Sequence, residues 1–153
     1  MRVTRVRLFS GLVAVVVPLL LVGNAVHACT KVNLRGKSVA IIGCGTIGLF
    51  AVLVARALGA RQVIGVEPMK VHLEMARRLG ADAVIEPSRR TEESYVHDEA
   101  ITHQVKALTG GVGVDVALEM SGSPAAVHKC FRYVKNGGRV TLFGIPAAPV
   151  SFD

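Results

Sequence analysis

The chain has 153 residues, 51% of them hydrophobic, with few aromatics and no tryptophan, enough apolar material for one packed domain and too much for a disordered chain. Its formal net charge is +7, but Arg2, Arg5 and Arg7 stand close together near the start and no compact basic run with interleaved aromatics follows, which argues against a nucleic-acid-binding surface. The three cysteines, Cys29, Cys44 and Cys130, are widely spaced and form no Cys-x-x-Cys pair, which excludes a zinc ribbon or disulfide scaffold and reads as reduced, unbridged thiols.

The first segment, residues 1–22, is cationic and then apolar from Leu8 to Val22, with Pro18 inside the run. Two readings stay open. One is a secretory signal or membrane tether through residues 1–28, with Ala28 as the small residue before a cut at Cys29. The other is an irregular lead-in to a cytosolic fold, since the run is short for a membrane span and proline is awkward in an unbroken helix. The expectation is a cytoplasmic protein whose cofactor-binding domain covers residues 23–153, with export or tethering as the alternative.

From Lys37 onward the pattern is regular. Ser38-Val39-Ala40-Ile41-Ile42 is a short apolar run before glycine, a buried parallel strand. Apolar residues at helical spacing follow from Thr46 to Leu58 and stop at Gly59. Gln62–Val66 predicts a second strand, and Met69–Leu79 a helix closed by Gly80. Ala83–Ile85 is a third strand, Ser88–Val96 a polar loop or helix start, and Asp98–Leu108 a helix. Val114–Leu118 predicts the fourth strand, Pro124–Val134 a helix with proline near its start, and Arg139–Phe143 the fifth strand. Strands alternating with helices imply an α/β fold, a Rossmann-type doubly wound parallel sheet. The sheet is short of its last strand, which predicts self-association or a partner chain at the uncovered edge.

The chemistry sits in the turn Gly43-Cys44-Gly45-Thr46-Ile47-Gly48. Three glycines in six residues are weak alone, but here they follow a strand and open a helix, as a dinucleotide fingerprint requires. Gly43 permits the turn, Gly45 lets the backbone approach a pyrophosphate, and Gly48 lets helix and strand pack closely. Glu67 ends the second strand about twenty positions further on, where a carboxylate accepts bonds from the adenosine ribose and repels a 2′-phosphate, favouring NAD over NADP. Lys70 and His72 lie near it and read as first-turn helix residues. Glu119, Ser121 and Gly122 end the fourth strand, and Phe143, Gly144 and Ile145 close the fifth on the same edge. For Glu119 a capped turn and a cofactor contact are about even. The five histidines are scattered, and no Ser-His-Asp or Cys-His grouping supports nucleophilic catalysis.

The segments Gly23-Asn24-Ala25-Val26-His27, Gly43-Cys44-Gly45-Thr46-Ile47-Gly48-Leu49, Glu67-Pro68, Ala76-Arg77-Arg78-Leu79-Gly80-Ala81-Asp82, Gly113-Val114-Asp115-Val116, Glu119-Met120-Ser121-Gly122 and Gly137-Gly138-Arg139-Val140 together resemble one family. They are similar to the NAD-binding domain of zinc-dependent medium-chain alcohol dehydrogenases, especially threonine and sorbitol dehydrogenase-like members. The resemblance implies hydride transfer from a secondary alcohol to NAD. It places Ile47 on the cofactor, Glu67 on the adenosine ribose, His72 where the family often has a basic residue, and Phe143-Gly144-Ile145 on the nicotinamide side. It also implies that zinc belongs to a catalytic domain with no counterpart here. The chain alone is therefore expected to bind NAD with little or no turnover. A non-catalytic NAD-binding module or partner subunit is the alternative.

Overall fold

The computed structural model describes residues 3–87, 99–146 and 148–150, with backbone alone for residues 3–12. The polar stretch Ser88–Val96 and residue Asp98 of the sequence reading lie outside the described residues. In chain order the elements are α1 (Val3–Thr30), β1 (Ser38–Ile42), α2 (Thr46–Ala57), β2 (Gln62–Val66) and α3 (Lys70–Arg78). They continue with β3 (Ala83–Ile85), α4 (Glu99–Leu108), β4 (Val114–Glu119), α5 (Pro124–Tyr133) and β5 (Val134–Leu142).

The strands form one five-stranded sheet in the order β3-β2-β1-β4-β5, and every neighbouring pair is parallel. The order reverses direction beside β1, the point at which a doubly wound sheet opens a crevice at the carboxyl ends of its strands. All of β1 is buried, and its alternate residues serve opposite faces. Val39 and Ile41 pack with Ala51, Val52 and Ala55 of α2 and with Ala25 and Cys29 of α1. Ala40 and Ile42 pack with Ile101 and Val105 of α4 and with Ala126, Cys130 and Tyr133 of α5. A strand covered on both faces must read as a continuous apolar run, which is what Ser38–Ile42 does.

Polar pins hold the layers in register. The Ser38 backbone N–H and Oγ donate to Asp115 Oδ2 at 2.8 and 3.0 Å, and Asp115 N–H donates back to Ser38 Oγ at 3.0 Å. Lys135 Nζ lies 2.6 Å from the other carboxylate oxygen of Asp115. Burial pushes the Asp115 carboxyl up, but Lys135 and Ser38 more than offset it and hold its pKa at about 2. Across the sheet, Asp82 accepts the Val63 N–H at 2.7 Å and two bonds from the Arg56 guanidinium at 3.1 and 3.2 Å, tying α2 to the β2–β3 side. Lys129, on α5, is buried, and its Nζ lies 3.2 Å from Glu99 of α4.

Two parts of the sequence reading need correction. The opening segment is no irregular lead-in: α1 is one helix of 28 residues that runs through Pro18. Proline's missing N–H removes one rung of the ladder, and the remaining rungs carry the helix past it. Its last turns dock on α2, with Ala25, Ala28 and Cys29 fully buried. The fifth strand starts at Val134, directly after α5, rather than at Arg139. Val134 pairs with Val114 and Arg139 with Val116, so the intervening residues form an irregularity in the ladder. A glycine pair that looks like a turn is here absorbed within a strand, as bulges allow.

Candidate functional site

The glycine turn leaves β1 as the sequence pattern requires. The Gly43 N–H donates to Val66 O at 2.9 Å, holding the turn against β2. Gly43 has φ +90 and lies so near the β4 turn that a Cβ would stand 2.7 Å from the Cβ and N of Ser121. Glycine is therefore required there on both counts. A Cβ at Gly48 would run into the carbonyl of Gly43, so α2 packs directly on the strand that precedes it.

Gly45 is different in kind. It is the N-cap of α2, with φ −65, no side-chain cap, and nothing within 4 Å of where its Cβ would be. The fold itself needs no glycine at that position; the space above it is open. The first N–H groups of a helix have no intrahelical partner and carry the positive end of its dipole, so the open space faces a ready anion site. Thr46 is exposed and Ile47 half-buried on the same turn.

Glu67 ends β2 beside this loop and is 6% exposed. Its Oε2 accepts the Cys44 N–H at 2.9 Å and its Oε1 accepts the Met69 N–H at 3.0 Å. It therefore braces the glycine loop from within, a role the sequence reading missed. An ionised carboxylate offers roughly four lone-pair sites, so acceptor capacity remains for a ligand hydroxyl. His72 Nδ1 stands 3.5 Å from Glu67 Oε1 and, though buried, has no hydrogen-bond partner. His72 thus backs the carboxylate rather than lining the loop. Cys44 is buried, and burial together with the Glu67 charge pushes its thiol up to about 12, so it stays protonated and unreactive at neutral pH.

Glu119 is fully buried at the end of β4. Its Oε1 accepts the Ser121 N–H at 2.7 Å, the Ser121 hydroxyl and the Gly122 N–H at 3.0 Å. Its backbone oxygen accepts the N–H groups of Phe143 and Gly144 at 2.9 and 3.0 Å. Of the two readings weighed for it, the capped turn describes these bonds. Its Oε2 is buried without a hydrogen-bond partner and abuts Gly144, where a Cβ would strike both that oxygen and the Gly122 N–H. A Cβ on Gly122 would stand 2.6 Å from the Ile145 carbonyl.

The structure thus brings Gly43, Ser121, Gly122, Gly144 and Ile145 into one chain of close backbone contacts at the carboxyl ends of β1, β4 and β5, with Glu67 at the end of β2. Ile145 itself is 91% exposed. Beside it, Val127, Leu142, Gly144 and Pro146 help line an open apolar hollow of about 460 Å³. The Glu-x-Ser-Gly spacing was the one sequence signal for the Glu119 brace: an acid two and three residues before N–H groups in a tight turn. The residues fit a dinucleotide: an uncapped helix N-terminus, open space over Gly45, and a carboxylate at the neighbouring strand end. They do not fit zinc. Among the described residues, no group of three or more His, Cys, Asp or Glu side chains is placed to hold a metal ion.

Comparison with known proteins agrees with this geometry. A family model described as zinc-binding dehydrogenase matches residues 46–153. The L-threonine 3-dehydrogenase of Bacillus licheniformis is 40% identical over 131 residues, covering 86% of this chain and 35% of that protein. That of Caldanaerobacter subterraneus is 38% identical with the same coverage. Among solved structures, an alcohol dehydrogenase from Thermus sp. ATN1 is similar with a TM-score of 0.75 at 33% identity, covering 87% of this chain and 36% of its own. The 2R,3R-butanediol dehydrogenase of Bacillus subtilis gives a TM-score of 0.75 at 26% identity, with the same coverage. The chain spans about a third of the length of the curated relatives it matches.

Proposed function

The chain belongs to the zinc-binding dehydrogenase family, and on that premise we propose that it binds NAD across the carboxyl edge of its sheet as the cofactor portion of an alcohol or threonine dehydrogenase-like oxidoreductase. When bound, NAD supplies a hydride acceptor. The chain's own residues bind and orient it. The Gly43–Gly48 turn and the α2 N-terminus hold the pyrophosphate, with Gly45, Thr46 and Ile47 nearest to it. Glu67 accepts from the adenosine ribose while still bracing Cys44, and His72 supports Glu67 from behind. Ser121 and Gly122 form the floor between the two halves of the dinucleotide. Phe143, Gly144 and Ile145 border the nicotinamide, held in place by the Glu119 backbone oxygen.

The observation that carries this reading is the open space over Gly45 at an uncapped helix N-terminus. Every other glycine in the turn is demanded by a contact of the fold; this one is demanded by nothing yet present. A carboxylate at Glu67 repels the extra phosphate of NADP, so NAD is the preferred form. Titration calorimetry with both cofactors tests it: NAD should bind tighter, and the reverse order would defeat the role given to Glu67.

The donor set of the described residues favours a second reading of the same site, an NAD-binding module without turnover of its own. Alcohol oxidation needs a group to bind and deprotonate the alcohol, and no metal-holding cluster is present among the described residues. We infer that the chain alone shows no turnover of threonine or simple alcohols with added zinc. Measurable NADH formation under those conditions would reject that inference and leave NAD binding standing. We propose that the cofactor domain lies on the cytoplasmic side, where a dinucleotide site is of use.

A further inference from the structure

The part of α1 that precedes the cofactor domain has no role in the dinucleotide site. Every residue from Val13 to Leu20 is exposed, including Val15 at 58%, Leu19 at 64% and Leu20 at 62%. These residues point to all sides of the helix, so the segment is apolar all round rather than along one stripe. A single partner helix or a second copy would cover one stripe and leave the others in water; an environment that surrounds the helix is what this pattern needs. The helix window Val13–Thr30, whose last turns are buried against the domain, has mean hydropathy 2.0.

Charge falls at both ends of this segment. Arg2, Arg5 and Arg7 precede it in the sequence. At the other end, Lys31, Asn33, Lys37 and Arg139 line an open hollow of about 760 Å³ beside the last turn of α1. Cations flanking an apolar helix match the anionic headgroup layer on either side of a hydrocarbon core. At about 1.5 Å per residue, Leu8 to Val22 is about 22 Å long. That is short of the ~30 Å core, a mismatch that local thinning of the bilayer absorbs.

The far end of the same helix is not separable from the fold. Ala25 and Cys29 belong to the buried cluster that contains Val39, Ile41 and Ala51, Ala28 between them is fully buried as well, and the Cys29 thiol lies 3.8 Å from the Ala51 carbonyl. A cut between Ala28 and Cys29, the site the sequence offers for removing a leader, would take the end of a helix off the face of α2.

We propose that residues 8–22 of α1 insert into a lipid bilayer and remain there, fastening the cofactor domain to a membrane surface through a helix continuous with its core. The test is flotation of the purified full chain on a density gradient with phosphatidylcholine–phosphatidylglycerol vesicles, together with intact-mass analysis of the protein recovered from cell membranes. The wild-type chain should float with the vesicles, resist a carbonate wash, and retain residues 8–28. The exposed double substitution Val16→Lys with Leu19→Lys should lower the floated fraction at least tenfold while leaving the thermal melt unchanged. A mature chain that begins at Cys29, a wild-type chain that stays at the bottom of the gradient, or equal flotation of the double variant would each overturn the proposal. A concentration-dependent dimer without flotation would overturn it too and assign the face to a second copy.

Discussion

Gly45→Val separates binding from folding more cleanly than any other substitution in the turn. Gly45 lies at φ −65, a conformation any residue adopts, and its Cβ would meet no atom within 4 Å. Losing glycine's freedom in the unfolded chain stabilises by about 0.4–1 kcal/mol. Exchanging a permissive N-cap residue for an aliphatic one offsets part of that. The net change is within about 1 kcal/mol, roughly 2–4 °C in Tm for a chain of this size. Binding is another matter. The new methyls would occupy the layer where phosphate oxygens approach the helix N–H groups. Charge-assisted hydrogen bonds are worth about 1.5–3 kcal/mol each. Losing two costs about 3–6 kcal/mol, a weakening of about 10²–10⁴-fold. Calorimetric titration with NAD, paired with a thermal melt of the same sample, reads both quantities. If Gly45→Val leaves affinity unchanged with its melt intact, the pyrophosphate is not held at this turn and the reasoning fails.

Gly48→Ala, by contrast, is expected to prevent folding, because its Cβ would collide with the Gly43 carbonyl; a cooperative melt near that of the wild type would contradict this packing. Glu67→Ala should destabilise the chain by about 3 kcal/mol through loss of two bonds to an ionised acceptor, and should also erase discrimination between NAD and NADP. Denaturant melts and paired titrations check the two effects independently. Asp115 has its folded pKa held at about 2 against an ordinary carboxylate value near 3.9. The unfolded chain therefore binds that proton first as pH falls, so the stabilisation is full above about pH 4 and is lost towards pH 2. Asp115→Asn should flatten that limb of Tm against pH; an unaltered limb would mean the Ser38 and Lys135 contacts contribute nothing. The Cys44 and Cys130 thiols, both raised by burial above all, should resist alkylation at pH 8 until the chain is unfolded, as mass spectrometry would show.

The order of strands and helices from Lys37 onward was legible because most strands are buried runs bounded by glycine or proline. Periodicity and punctuation therefore report the same boundaries, and β1, β2 and β3 begin and end where the sequence pattern places them. The start of β5 was not legible. Val134–Gly138 carries exposed and half-buried residues, and its pairing depends on β4 lying alongside, which local propensity does not encode. The Gly-x-Gly-x-x-Gly turn was legible, but the neighbours that make glycine obligatory at Gly43 and Gly48 were not. The steric demands come from Ser121, which is distant in sequence, and from the local approach of the Gly43 carbonyl.

By itself, the sequence determined that this chain builds a parallel α/β sheet, where its glycine turn falls, and that an acid ends the second strand. Those are properties of short stretches, set by side-chain period and backbone sterics. Only the tertiary structure decided that Glu67, expected to accept from a ribose, also grips the glycine loop, and that Glu119 ties the β4 and β5 turns together. It also decided that the apolar opening is one helix, sunk into the core at one end and bare on every side further along. Such facts depend on which distant segments are neighbours. The sheet order fixes that neighbourhood, because packing β1 between β2 and β4 draws four strand ends into a single edge.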